Sequence, residues 1–354
     1  MSTKAAARAE AQRLFQMFQM AGAVPVEADI LQPADTLLDL YGEDIRARAF
    51  VTADPLRGEQ MLRPDFTVPV VQMHMDGGAE PARYTYMGEV FRKQEAQAQR
   101  ASEYLQVGYE VFDGSDPARA DAEVFALMAT AVAGLNLRAV TGDVGFLKDA
   151  VAGLSLSEAR KAALARHIWR PQRFKALLDR FAVPALLREE LSDLEGAFAS
   201  AGPLVGLRSR AEIEARVSAL RAEASEAPLS AEEVGLIDTL LGVTGPASEA
   251  LVALKALAVD MPSIKAASAR LEARLGALQA RGVDVQALAF ETGFGRTLLE
   301  YYDGFVFGFY AEGSTAPISS GGRYDALTEV LGAGRFIPAV GGVVRPEMVL
   351  EVRG

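Results

Sequence analysis

The chain has 354 residues, 36 Lys and Arg against 47 Asp and Glu, and a formal net charge of -11 at neutral pH. That length and a 50 % share of hydrophobic residues predict two or so domains around a large core, and the acidity argues against a surface whose main task is neutralising phosphates. With no cysteine and only His74 and His167 as histidines, disulfides, thiolate zinc sites, iron–sulfur clusters, a cysteine nucleophile and a multi-histidine metal site are all excluded.

Residues 4–21 predict an amphipathic helix, with Leu14, Phe15, Met17, Phe18 and Met20 at helical spacing and Gly22 as its stop. This N-terminus lacks the apolar run and cleavage site of a signal peptide, and no stretch of about 18 uncharged apolar residues follows. The expectation is a cytoplasmic protein. From 24 to 140 short runs (Ala49–Thr52, Arg83–Met87, Leu105–Phe112) alternate with turn residues and read as strands of a mixed or antiparallel sheet. Asp116–Gly134 reads as a helix with Ala120, Val124, Phe125, Met128 and Val132 toward the core.

Residues 155–281, rich in Ala, Leu, Arg and Glu, predict an almost wholly helical stretch cut into ordinary lengths by Pro171, Pro184, Pro203, Pro228, Pro246 and Pro262. Strand texture returns after 284. Gly304–Tyr310 (GFVFGFY) is a β-prone run, Pro317–Tyr324 (PISSGGRY) reads as a glycine-rich loop feeding a short helix, and Ala339–Val344 (AVGGVV) as a glycine-rich strand. The predicted fold is α/β (α+β), with residues 1–145 and 284–354 as two parts of one core and 146–283 as a helical insertion.

Polar clusters interrupt this apolar texture: Arg63-Pro64-Asp65-Phe66-Thr67, Gly88-Glu89-Val90-Phe91-Arg92, Gln106-Val107-Gly108-Tyr109-Glu110, and Glu300-Tyr301-Tyr302 beside Gly321-Gly322-Arg323. Gln106 and Glu110, four apart, point to one side of a strand. A buried Glu110 needs a cation, a donor or a ligand. Pattern alone leaves two readings open for each cluster. Arg92 with Asp65 or Glu110 is either a structural ion pair or part of a polar pocket, and Tyr301 and Tyr302 are either core aromatics or pocket walls. The glycine pairs 321–322 and 341–342 allow close backbone packing and lack the spacing of a dinucleotide fingerprint. His74 reads as a helix-end residue, not a catalyst.

The same clusters resemble the class II aminoacyl-tRNA synthetase fold, mostly antiparallel sheet flanked by helices, and within it the histidyl-tRNA synthetases. Met61–Val70 (MLRPDFTVPV) resembles the LRPEGTA segment, and Tyr86–Asp113 (YMGEVFRKQEAQAQRASEYLQVGYEVFD) motif 2 with its QxGxE strand. Leu299–Tyr302 (LEYY) and Ser320–Leu327 (SGGRYDAL) resemble the two histidine-specific motifs, and Gly341–Arg345 (GGVVR) motif 3. The order is collinear across both core parts. By this resemblance Asp65 and Thr67 hold the α-amino group, Arg92 and Gln106 lie near the carboxylate and amino end, and Glu110, Tyr301 and Tyr302 enclose the imidazole.

The ATP half of the pattern departs from the family. The arginine expected three positions before the acid of LDYY is Thr297, with Arg296 one residue early. The motif 2 acid is Gln94, followed by Glu95, and the loop's second arginine is Ser102, while Arg100 and Arg345 are kept. Adenylate formation depends on positioned cations, so it is expected to be severely impaired, and no anticodon-binding domain is expected. A kept histidine pocket with depleted ATP chemistry is similar to the regulatory subunits of ATP phosphoribosyltransferase. That resemblance implies a non-catalytic partner of a short-form catalytic subunit, a homodimer within a hetero-oligomer, with L-histidine as effector and no cofactor, metal, nucleic acid or membrane. The competing readings are a synthetase-like enzyme making an aminoacyl-adenylate for a non-tRNA acceptor, and an interaction scaffold with a vestigial pocket.

Overall fold

The computed structural model describes residues 3–34, 47–94, 101–185, 193–202, 206, 208–296 and 300–354. Helix α1 (Lys4–Met20) opens the chain, capped by Thr3, whose side chain accepts from the Ala6 N–H, and ended by Gly22 at φ +92. Its buried stripe is Ala7, Ala11, Leu14 and Phe18, whereas Met20 of the expected apolar set faces solvent. Strands β1 (Val24–Pro25), β2 (Leu31–Pro33), β3 (Val51–Asp54) and β4 (Gly58–Leu62) precede α2 (Thr67–Met75), and the last three form a small sheet in the order β2-β4-β3.

The long hairpin β5 (Ala82–Phe91) and β6 (Glu103–Phe112) then leads to α3 (Pro117–Ala131), capped by Asp116 with proline at its first position, and to β7 (Leu137–Asp143). All five core positions expected on the helix after Asp116 are buried. Helices α4 (Gly145–Ala152), α5 (Glu158–Arg166), α6 (Pro171–Phe181), α7 (Leu194–Ser200), α8 (Arg210–Ser225), α9 (Ala231–Leu241), α10 (Ala247–Asp260) and α11 (Lys265–Ala280) follow, with the short strand β8 (Thr244–Pro246) and a 3-10 turn at Pro262–Ile264 among the described residues between them. The chain closes with β9 (Ala289–Glu291), β10 (Phe305–Ala311), β11 (Pro317–Arg323), α12 (Asp325–Leu331), β12 (Ala339–Val344) and α13 (Pro346–Arg353).

The main sheet runs β1-β5-β6-β12-β11-β10-β7-β9-β8, with β1–β5 and β7–β9 parallel and the other pairings antiparallel. Strands from the end of the chain therefore sit between strands from its beginning. Two expectations need correction. The run Pro317–Arg323 is a central strand, not a loop: Gly321 and Gly322 pair with Gly342 and Gly341, where backbone and rings crowd so closely that side chains cannot be accommodated. Residues 244–246, inside the stretch read as helical, pair with β9 at the sheet edge.

Helices α1, α3 and α11 cover one face of the sheet. Phe125 of α3 packs against Phe305, Phe307 and Phe309, with ring centroids 5.2–6.4 Å apart, and Phe18 meets Tyr109 at 5.7 Å. Under α11 lies a buried ion network: Arg274 contacts Asp121 at 2.7 Å and Asp143 at 2.8 Å, and Arg323 reaches the other oxygen of Asp121 at 2.6 Å. The network joins α11 to α3, β7 and β11, and desolvation of each ion offsets much of its attraction.

His74, in the last turn of α2, is fully buried against Phe112 (4.0 Å, stacked), with Nδ1 3.1 Å from the Tyr84 hydroxyl. Burial lowers its pKa from 6.5, partly opposed by Glu80. A lowered folded-state value means stability present above pH 6.5 and lost as pH falls below it. Lowering pH from 7.5 to 5 should therefore reduce the melting temperature of the wild type by more than it reduces that of His74→Phe. Parallel melting curves for the two proteins across that range would contradict this.

Candidate functional site

On the sheet face opposite α1 and α3, strand alternation puts Gln106, Gly108 and Glu110 of β6 in line, facing Gly88, Tyr86 and Tyr84 of β5, while Gly341 of β12 is the other neighbour of Glu110. The glycines form the floor. A Cβ at Gly108 would collide with the Tyr86 ring, one at Gly341 would fall on Glu110 Oε2, and one at Gly322 would come within 2.8 Å of the Tyr302 ring. Their lack of side chains lets a carboxylate and two phenol rings lie across the backbone.

Glu110 is 1 % exposed and forms no ion pair with any described residue. Its partners are hydroxyls: Thr67 Oγ1 (3.1 Å) and the Tyr86 OH (2.8 Å) donate to Oε1, and the Tyr324 OH (2.6 Å) donates to Oε2. Burial pushes its pKa up to about 7; the three hydroxyls, Tyr324 foremost, pull against that rise, and nearby Asp65 adds to it. Burial, with Glu110 next, raises Tyr86 and Tyr324 well above the usual phenol value, so both remain donors. A carboxylate offers about four acceptor positions. Three are used here, which leaves one, on Oε2.

The other end of the site is ionic. Arg92, at the end of β5, donates through Nε to the Pro64 carbonyl (2.7 Å) and places Nη2 3.7 Å from Asp65 Oδ2; the Tyr301 OH donates to the same oxygen at 3.4 Å. Gln106 is 1 % exposed and its Oε1 has no hydrogen-bond partner, an orphaned acceptor of the kind a ligand N–H satisfies. Tyr301 stands edge-on to Tyr302 (4.8 Å) and to Tyr324 (6.1 Å, 89°), which links the two ends through aromatic contacts.

The structure thus gathers Asp65, Arg92 and Tyr301 in one contact group and Thr67 with Glu110 in another, with Gln106 on the same strand face and Tyr302 against Tyr301. Thr67 donates to Glu110. Sequence reasoning missed Tyr86 and Tyr324 as partners of Glu110. The signal for Tyr86 was its place across the hairpin from Gly108, and for Tyr324 its place in the SGGRYDAL motif.

Groups of the ATP half are engaged elsewhere. Gln94 Nε2 donates to the Arg92 carbonyl (3.2 Å), and Arg345 Nη1 to the Pro317 carbonyl (2.7 Å). Arg296 directs Nε to the Ile168 carbonyl (2.8 Å), with its guanidinium over the Phe174 ring (5.0 Å). Thr297, Arg100 and Glu95 lie outside the described residues. The arrangement suits a small zwitterion carrying a ring N–H. An arginine fork fits a carboxylate, a buried acid and an amide oxygen fit an ammonium group, and Glu110 fits a single ring donor.

Known proteins resemble this chain along nearly its whole length. The histidyl-tRNA synthetase family model matches residues 2–213 and 213–349. An ATP phosphoribosyltransferase regulatory subunit of Mesorhizobium japonicum is 33 % identical over 354 aligned positions, covering 94 % of each chain, and one of Allorhizobium ampelinum is 33 % identical over 93 % of each. A solved structure of an ATP phosphoribosyltransferase regulatory subunit/histidyl-tRNA synthetase from Bacillus halodurans superposes with a TM-score of 0.71 at 21 % identity, covering 99 % of this chain and 79 % of that one. The chain is therefore a member of the histidyl-tRNA synthetase family and, within it, belongs with the ATP phosphoribosyltransferase regulatory subunits.

Proposed function

We propose that this chain is a non-catalytic subunit that activates a short-form ATP phosphoribosyltransferase catalytic subunit and, on binding L-histidine, withdraws that activation. Asp65, Thr67, Arg92, Gln106, Glu110, Tyr301 and Tyr302, joined by Tyr86 and Tyr324, form the histidine site. The observation that carries the reading is Glu110, buried, held by three hydroxyls and left with one acceptor position opposite an ionic end suited to an amino acid's zwitterion. Residues 1–145 and 284–354 are the two parts of the core, and 146–283 are inserted between them. The working form is a cytoplasmic homodimer within a hetero-oligomer with the catalytic subunit, and no helix among the described residues is long and apolar enough to cross a membrane. Histidine exerts control only by binding one state of the assembly better than the other.

The test is phosphoribosyl-ATP formation by the short catalytic subunit, with and without this chain, across a histidine titration. Stimulation by the chain, reversed by histidine, is expected. Absence of stimulation, with the catalytic subunit shown competent beside a known regulator, would overturn the reading, and pyrophosphate exchange with histidine and ATP would then test adenylate chemistry.

A further inference from the structure

The helical segment carries no motif of its own, yet it grips the wall of the pocket. Arg170, at the start of α6, places Nη2 3.0 Å from Glu300 Oε1, and both side chains are only 19 % exposed. Glu300 immediately precedes Tyr301. Four residues earlier, Arg296 donates to the Ile168 carbonyl and stacks on Phe174. Three contacts made by Arg296 and Glu300 thus converge on one short stretch of the helical segment, 168–174. From there the chain of contacts is unbroken: Tyr301 donates to Asp65 and packs against Tyr302 and Tyr324, and Tyr324 donates to Glu110.

We propose that Arg170 and Arg296 are positioning residues through which stretch 168–174 sets the pose of Tyr301 and Tyr302, so that histidine occupancy and the seating of α6 are coupled. The proposal rests on the pocket being the histidine site, and coupling of this kind runs in both directions. A partly desolvated Arg–carboxylate pair is sensitive to geometry in a way a solvated pair is not. The pair between Lys175 of α6 and Asp238 of α9, 3.0 Å apart and about half exposed on both sides, supplies the contrast.

Trp169, the sole tryptophan, adjoins Arg170, and its buried Nε1 has no hydrogen-bond partner, so its emission reports the seating of this stretch. The experiment is an L-histidine titration of the full chain with its catalytic subunit, followed by calorimetry and by Trp169 emission read as a difference against Trp169→Phe. Histidine should shift the emission of the wild type with the midpoint seen calorimetrically. Arg170→Met and Glu300→Gln should each weaken binding about tenfold, Arg170→Lys should keep most of the affinity, and Lys175→Met should leave it unchanged. Calorimetric binding with no change in Trp169 emission, or with undiminished affinity in Glu300→Gln, overturns the coupling while leaving the pocket intact. No heat from the wild type overturns the pocket reading itself and the coupling with it.

Discussion

Glu110→Gln should abolish the histidine response while leaving the fold as stable as the wild type, or more so, at pH 8. The charge is the reason for the second half. The folded-state pKa of Glu110 is about 7 against an ordinary 4.5, so the native state holds its proton more tightly than the unfolded chain does. That contribution is fully present below pH 4.5 and lost as pH rises through 7, at a cost of roughly 3 kcal/mol at pH 8, which an amide avoids. The loss of binding follows from hydrogen-bond polarity. The amide oxygen must accept from Thr67 and Tyr86, which turns the NH2 group toward the position held by Oε2. A donor then faces the ligand's ring donor, and affinity should fall on the order of 100-fold.

Affinity of the wild type carries a matching signature. If neutral imidazole donates to ionised Glu110, binding expels the proton that the free site partly holds at pH 7, and affinity should rise from pH 6 to 8 and then level off. Calorimetry in buffers of different ionisation heat reads the released proton directly. Affinity that declines over the same range would mean that the imidazolium binds instead.

Which of these features the sequence made legible follows from the range of the contact. Glu110 and Gln106 share a face because a strand alternates, a local property read from spacing alone, and the hairpin register that brings Tyr86 across from Gly108 is nearly as local. The bond from Tyr324 to Glu110 spans 214 positions and exists only because β12 inserts between β6 and β11. No local pattern encodes that order. The misreading of Pro317–Arg323 has a related cause. Glycines signal a loop when judged by backbone freedom, whereas here Gly321 and Gly322 hold ordinary strand pairings and are required by what lies above and beside them. The grip of the helical segment was invisible for the same reason as Tyr324: Arg170 and Glu300 are 130 residues apart, and a single ion pair leaves no periodic trace.

The glycine floor makes the sharpest structural prediction. Gly341→Ala should destabilise the chain by about 2–4 kcal/mol and eliminate histidine binding, because the new methyl occupies the place of Glu110 Oε2 and the carboxylate is fixed by three donors. Gly342 is the control one residue along, on the other face. A methyl there meets Met128 Cγ at 2.9 Å and the Phe307 ring at 3.1 Å, a milder crowding than at 341 that a flexible thioether can partly relieve. Gly342→Ala should therefore cost about 1 kcal/mol and keep the histidine response. The two effects at 341 separate in a double variant. Removing the carboxylate with Glu110→Ala relieves the collision, so Gly341→Ala should cost far less in that background, a non-additivity of 1 kcal/mol or more in chemical denaturation. Histidine binding should stay absent, because the acceptor itself is gone. Additive stabilities would place the Glu110 side chain away from Gly341, and with it the open acceptor position on which the proposed histidine recognition depends.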